Sequence, residues 1–216
     1  MTIRQKFSDA DLERIKASVR HAESQISGEI VPVVVGQSGY YSIANYKSGL
    51  IISSLTFLLI IIFDRYLPAL AIYNPLLIFL TVMAAGIVGA LLPIFILPWR
   101  RLLVAQAHLD HATRQRAENA FLQEEVFNTR HRTGIMIFIS FFEHEVIIMA
   151  DRGISKVVDQ KVWDKLVDDL TNDIRIGKVV EGLENSIQKC GEILLENGFN
   201  KTTDDVNELR DDLRID

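Results

Sequence analysis

Two long apolar runs, joined by a short polar kink, fill the stretch between Ser48 and Trp99 of this 216-residue chain. The first, Gly49 to Phe63, carries no charge, and the second, Pro75 to Trp99, runs about 25 residues without one. A helix needs about 20 apolar residues to cross a hydrocarbon core, so the second run is long enough by itself. The first, about 16 residues from Ser48, spans if Tyr46, Lys47, Tyr66 and Leu67 extend it through the interface. Tyr46, Tyr66, Tyr73 and Trp99 stand where an aromatic belt belongs. Two helices buried inside a soluble core would need far more surrounding protein than this chain supplies. The sequence therefore predicts a transmembrane helical hairpin over residues 46–99. Ala84, Ala85, Gly86, Gly89 and Ala90 give its second span a small-residue surface suited to close helix packing.

The charges flanking the hairpin predict its orientation. Lys47, Arg100, Arg101, Arg114 and Arg116 lie on the terminal sides, while the connecting loop holds Arg65 beside Asp64. The positive-inside rule then puts both termini in the cytoplasm. Residues 1–28 are amphipathic and charged, with no apolar core segment, so no cleavable signal is expected ahead of the hairpin. A net charge of -5 and a pI near 5.6 argue against nucleic acid as a partner. The lone Cys190 suits a reducing compartment. The partners this pattern implies are the lipid bilayer and either a membrane protein or a second copy of the chain.

About 165 residues remain outside the hairpin, enough for one domain. Ser8 followed by Asp11 reads as a helix cap, and Leu12, Ile15, Val19, Ala22 and Ile26 then recur at helical spacing up to Ser27-Gly28. Glu29 to Val35 is a β-branched strand, which Pro32 confines to an edge or to a position whose amide is not needed. After Trp99 a long helix is predicted to about Phe127, burying Leu102, Ala105, Leu109, Ala112, Ala117, Ala120, Phe121 and Phe127. Ile135–Phe141 and Glu145–Ala150 form a strand hairpin separated by Glu143-His144. Trp163, Leu166, Val167, Leu170 and Ile174 mark the next helix, and Val180, Leu183, Ile187, Cys190 and Leu194 the last.

A strand–helix–strand order favours a right-handed parallel crossover, so the first strand should pair beside the second. The fold expected is α/β, a small mixed sheet with helices packed on it, interrupted by the membrane hairpin. Residues 1–45 supply its first helix and strand, 100–198 the remainder, and 199–216 an acidic tail. That tail, with Asp204-Asp205, Glu208 and Asp211-Asp212 among Val206, Leu209 and Leu213, reads as solvated or as a short docking helix.

Ser-Gly-Glu-Ile-Val-Pro-Val-Val-Val (27–35), Thr-Arg-His-Arg-Thr-Gly-Ile-Met-Ile-Phe-Ile-Ser (129–140), Val-Ile-Ile-Met-Ala-Asp-Arg-Gly-Ile (146–154) and Arg-Ile-Gly-Lys-Val-Val-Glu-Gly-Leu (175–183) resemble the TPM domain. That family is named for a thylakoid lumen protein, a photosystem II repair protein and an accessory protein of acetylcholine receptors. The resemblance covers essentially everything outside the hairpin, and bacterial membrane proteins with a hairpin-split domain are similar in layout. It implies a bacterial inner-membrane protein and two possible roles, accessory or assembly factor for a membrane complex, or acid phosphatase. Typical members carry Asp-Asn-Gly where this chain has Arg132-Thr133-Gly134, which removes hard oxygen ligands for Ca2+ or Mg2+. No metal or other cofactor is therefore expected.

Closing the strand hairpin at Glu143-His144 pairs residues whose numbers sum to about 287, which would set Gly134 opposite Gly153 and gather Arg130, His131, Arg132, Asp151 and Arg152 at one sheet edge. Glycines let backbone amides approach a ligand, and guanidinium groups match phosphate or carboxylate, so Arg130, Arg132, Gly134, Asp151, Arg152 and Gly153 form a candidate anion site. The competing reading is an ion pair from Asp151 to Arg132 or Arg130 that ties the hairpin ends. His108 and His111, three apart on a helix, lack a third ligand at metal spacing. No phosphate loop, serine elbow or Cys-x-x-Cys pair occurs, and no catalytic residue is assigned. The reading adopted is an accessory or regulatory module for a membrane complex, with a membrane-anchored phosphatase-like hydrolase as the alternative.

Overall fold

The computed structural model describes residues 3–202 and 207–216 and divides into two compact units, Met1–Ser38 with Asp110–Asp216, and Gly39–Leu109. In the first unit α1 (Asp9–Glu23) starts at a full capping box: Ser8 accepts from the Asp11 amide, and the Asp11 carboxylate takes the Ser8 amide. β1 (Glu29–Val35), β2 (Gly134–Ser140), β3 (Glu145–Ala150) and β4 (Arg214–Ile215) form one mixed sheet in the order β3-β2-β1-β4. β1 runs parallel to both β2 and β4, and β3 antiparallel to β2. The pairing of β1 beside β2 is the one expected from a right-handed crossover.

Every residue of β1 and β2 is buried, because the sheet is covered on both faces. On one face Ile30, Val34, Ile135, Ile137 and Ile139 meet α1, α7 (Gln160–Arg175) and α8 (Val179–Glu196) through Ile15, Val19, Trp163, Leu170, Leu183, Ile187 and Cys190. On the other, Val31, Val33, Val35, Met136 and Phe138 meet Ala117 and Ala120 of α5 (Gln106–Gln123), with Val126 beyond its end. α6 (Arg152–Ser155) is one turn after β3.

Two expectations are corrected and one open alternative is decided. First, residues 207–216 are not a solvated tail: they contribute β4, bury Asp211, and pack Leu209, Leu213 and Ile215 onto the two cores. Asp204, Asp205 and Val206 lie outside the described residues. Second, of the two places that Pro32 left open for its strand, β1 is central and takes the other: Pro32 stands where its amide is not needed. The Glu29 amide and Val35 carbonyl bond toward β2, while the Val34 carbonyl and Gly36 amide bond Asp216 on the opposite side. Pro32 shares the parity of Val34, so its missing N–H falls on the β4 side, one residue before that pairing begins at Val33. Third, the single helix from Trp99 to Phe127 is broken at Val104-Ala105 into α4 (Leu97–Leu103) and α5, and Leu102 is 74% exposed.

In the second unit, α2 (Ser42–Tyr66) and α3 (Pro75–Phe95) are both long and apolar enough to cross a membrane. Asn74 caps α3, accepting from the Leu76 and Leu77 amides at 2.9 and 3.4 Å. The two helices meet through small residues. A Cβ on Gly89 would lie 2.6 Å from the Ile52 Cβ, and one on Gly49 3.0 Å from the Gly86 carbonyl oxygen. Ser48 Oγ, fully buried, donates to the Gly89 carbonyl at 2.6 Å and accepts from Trp99 Nε1 at 2.9 Å.

Candidate functional site

The edge predicted to gather cations forms where the loop after α5 enters β2. Thr129 Oγ1 accepts the Thr133 amide at 2.9 Å, and the Thr129 carbonyl takes the Arg132 amide at 3.1 Å, a tight turn that drives Arg132 to φ +58°. From there its guanidinium pairs with Asp151, a terminal nitrogen donating to Oδ1 at 3.2 Å and Nε lying 2.8 Å from Oδ2, and lies 5.6 Å from the Phe127 ring centroid. Asp151 Oδ1 also accepts the Arg152 amide at 2.7 Å as the cap of α6.

The glycines lock this arrangement. The Gly153 amide donates to the Arg132 carbonyl at 2.9 Å, and a Cβ there would sit 2.5 Å from that oxygen and 2.7 Å from the His131 carbonyl oxygen. A Cβ on Gly134 would come 2.0 Å from the Val126 carbonyl oxygen. Both glycines let backbone segments of the same chain approach closely. The expected register is corrected: β2 and β3 pair at Ile135 with Ala150, a sum of 285, because the turn takes the four residues Phe141–His144. Gly134 consequently bonds the Asp151 amide, at 2.9 Å, and Gly153 belongs to α6.

Of the six candidate residues, Arg132, Gly134, Asp151 and Gly153 interlock, while Arg130 and Arg152 are exposed beside them. The Arg130 amide donates to Glu208 at 2.9 Å. The pair brings one cation against one anion, so the Arg132 guanidinium is already engaged by a carboxylate. His108 and His111 are exposed, and among the described residues no three His, Cys, Asp or Glu side chains are grouped to hold a metal ion.

Two acidic clusters escaped the sequence reading. At the far end of β2, Glu143 is fully buried and takes the Ser38 amide at 2.9 Å and the Ser140 hydroxyl, which lies 2.7 Å from the Ser38 hydroxyl. Next to it Glu145 is pushed up to about 7 by burial and by its hydrogen bond to Asp110, with Thr113 opposing. The second cluster joins Glu23, Glu29 and Asp211, each buried. The cue for the first lay in Glu143 and Glu145 bracketing a strand start. For the second nothing local signals that Glu23 will meet a residue 188 positions on.

No protein-family model matches the chain, and no curated protein does. Among solved structures it is similar to the NMR structure of the BA42 protein from the psychrophilic bacterium Bizionia argentinensis, at 17% identity and a TM-score of 0.60, over 97% of this chain and 95% of that one. At that identity the likeness is one of fold.

Proposed function

We propose that this chain is an integral-membrane protein of the TPM type, set in a bacterial inner membrane by residues 46–99 with both termini cytoplasmic, whose α/β domain serves as an accessory or assembly module for a membrane complex. The observation that carries the reading is the apolar surface of α2 and α3. Leu55, Phe57, Leu58, Leu59, Leu77, Phe79 and Leu80 are each about half exposed, a contiguous apolar area far beyond what a water-soluble monomer presents. Lipid is the partner that matches it. Neither apolar run contains an ionisable residue, so the hairpin lacks the groups that mark an ion or proton path.

The state of the Arg132–Asp151 pair favours a binding module over a hydrolase. Phosphoryl chemistry needs cations aimed where negative charge develops, and here the best-placed guanidinium is neutralised by a carboxylate that is itself holding a helix cap. Two measurements on the intact protein in nanodiscs test the reading. Affinity capture is expected to retain a membrane-protein partner, and the purified chain is expected to hydrolyse no phosphoester. Turnover of a phosphoester at an ordinary enzymatic rate, lost in both Arg132→Ala and Asp151→Ala, would establish the phosphatase-like alternative instead.

A further inference from the structure

The side of β1 away from β2 is closed by three different devices. The Ile30 amide donates to Glu23 Oε1 at 2.9 Å, Pro32 has no amide to satisfy, and Val34 and Gly36 bond to Asp216 at 3.0 and 3.1 Å. Residues 207–216 thus form a strap along this edge, and carboxylates do most of the fastening. Glu29 accepts the Glu208 and Leu209 amides at 3.1 and 3.2 Å. Asp211 accepts from Arg20 Nε and Asn207 Nδ2, both at 2.6 Å, and Asp212 pairs with Lys16 at 2.7 Å.

Where the strap begins, at Asn207, lies a cleft of about 120 Å3 lined also by Arg20, Glu23, Glu29 and Lys201 among others. Glu23, Glu29 and Asp211 are each 7% exposed. Among the described residues two cations face them: Arg20 on Asp211, and Lys201, whose Nζ donates to the main-chain oxygen of Glu23 at 2.8 Å. With one acid protonated the cluster balances, two negative charges against two positive. With all three ionised, one buried negative charge is left over. Glu23 is the acid suited to hold the proton. Its Oε2 is buried and has no hydrogen-bond partner among the described residues, whereas Glu29 and Asp211 each accept two N–H groups. An ionised oxygen buried without a donor is the costliest arrangement available here.

We propose that residues 207–216 are a proton-controlled strap: a proton on Glu23 keeps them closed over the edge of β1, and its loss lets the strap lift. Burial, first, and the facing Glu29 and Asp211 push the Glu23 carboxyl up to about 8, against 4.5 for a free one, with the Ile30 amide and Lys201 opposing. A lifted strap opens the cleft to water and returns the carboxyl toward its free value, so opening releases a proton between those limits. The opening constant then rises by close to tenfold per pH unit up to about pH 8 and levels off above it. The strap grips in acid and loosens toward mild alkali, baring a strand edge able to accept another strand.

The test is amide hydrogen exchange of the full chain in detergent micelles between about pH 6 and about pH 9, expressed as protection factors so that the intrinsic pH dependence is removed. Protection at Gly36, Leu209 and Asp216 is expected to fall about tenfold per unit up to about pH 8 and then hold. Glu23→Gln, neutral throughout, is expected to show flat protection, and Lys16→Ala to lower protection by one factor at every pH. Flat protection in the wild type, or an unchanged slope in Glu23→Gln, would overturn the proposal. Should Glu23→Gln fail to fold, the 13C shift of the wild-type Glu23 carboxyl decides: a midpoint that coincides with the pH at which protection levels off supports the strap, and one below about 6, or one apart from that pH, contradicts it.

Discussion

Arg132 and Asp151 form one ion pair but carry unequal structural weight. Asp151 is buried, caps α6 and holds the guanidinium, so Asp151→Ala removes a cap and a pairing partner together and is expected to cost about 2–3 kcal/mol. The Arg132 side chain is 46% exposed, and Arg132→Ala is expected to cost about 1 kcal/mol, mostly through the carboxylate it leaves behind. Denaturant unfolding of the two variants checks that ordering; equal costs would mean the cap contributes nothing. Glu145 supplies a pH dependence of opposite character to an ordinary surface acid. Its folded value, about 7, lies above the free one, so its contribution is full below about pH 4.5 and is lost as pH rises through 7. The melting temperature of Glu145→Gln relative to wild type should therefore rise across that interval and stay constant above it. The ion pair was legible in the sequence as one of two readings of an Arg-Thr-Gly and an Asp-Arg-Gly beside paired strands. The carboxyl clusters were not, because Glu23 and Glu145 look like surface acids until Asp211 and Asp110 are folded against them.

Elements with internal periodicity were the legible ones. α1, α7 and α8 bury Ile15, Val19, Ala22, Trp163, Leu166, Leu170, Leu183, Ile187, Cys190 and Leu194 of the residues their spacing singled out and half-bury Leu12, Val167, Ile174 and Val180; of the two apolar runs of the strand hairpin, β2 is fully buried and β3 half-buried. β4 was illegible, since Arg214-Ile215 is two residues long in a charged stretch and becomes a strand only because β1 offers it an edge. The break at Val104-Ala105 was missed for a similar reason, as the apolar spacing runs on across it. The strap has a consequence for association: deleting residues 207–216 bares the β1 edge, so the shortened protein should melt lower and form dimers or larger species, visible by calorimetry and light scattering. A shortened chain as stable and as monodisperse as the full one would show the strap to be an ornament of the edge. Within the hairpin, Gly89→Leu drives a side chain into Ile52 and should loosen α2 from α3 by about 1–3 kcal/mol, read as lost crosslinking between cysteines placed at Ser53 and Gly86, where a Cβ on Gly86 would lie 3.4 Å from that of Ser53.

For the whole molecule, the sheet draws β1 from one side of the hairpin and β2, β3 and β4 from the other, so residues 39–109 sit within the sequence of a domain whose contacts are made without them. Replacing residues 40–99 by a short flexible linker should leave a soluble protein that unfolds in one cooperative transition; two transitions would deny the shared core. The account rests most heavily on the hairpin lying in a bilayer with the domain on the cytoplasmic side. Labelling of intact bacterial cells with a membrane-impermeant maleimide tests this directly, with buried Cys190 changed to Ala and single cysteines placed at Pro68 or at Asp216. The cysteine at Pro68 should label from outside and the one at Asp216 only after the cells are opened. Labelling at Asp216 in intact cells, or recovery of the chain in the soluble fraction without detergent, would contradict it.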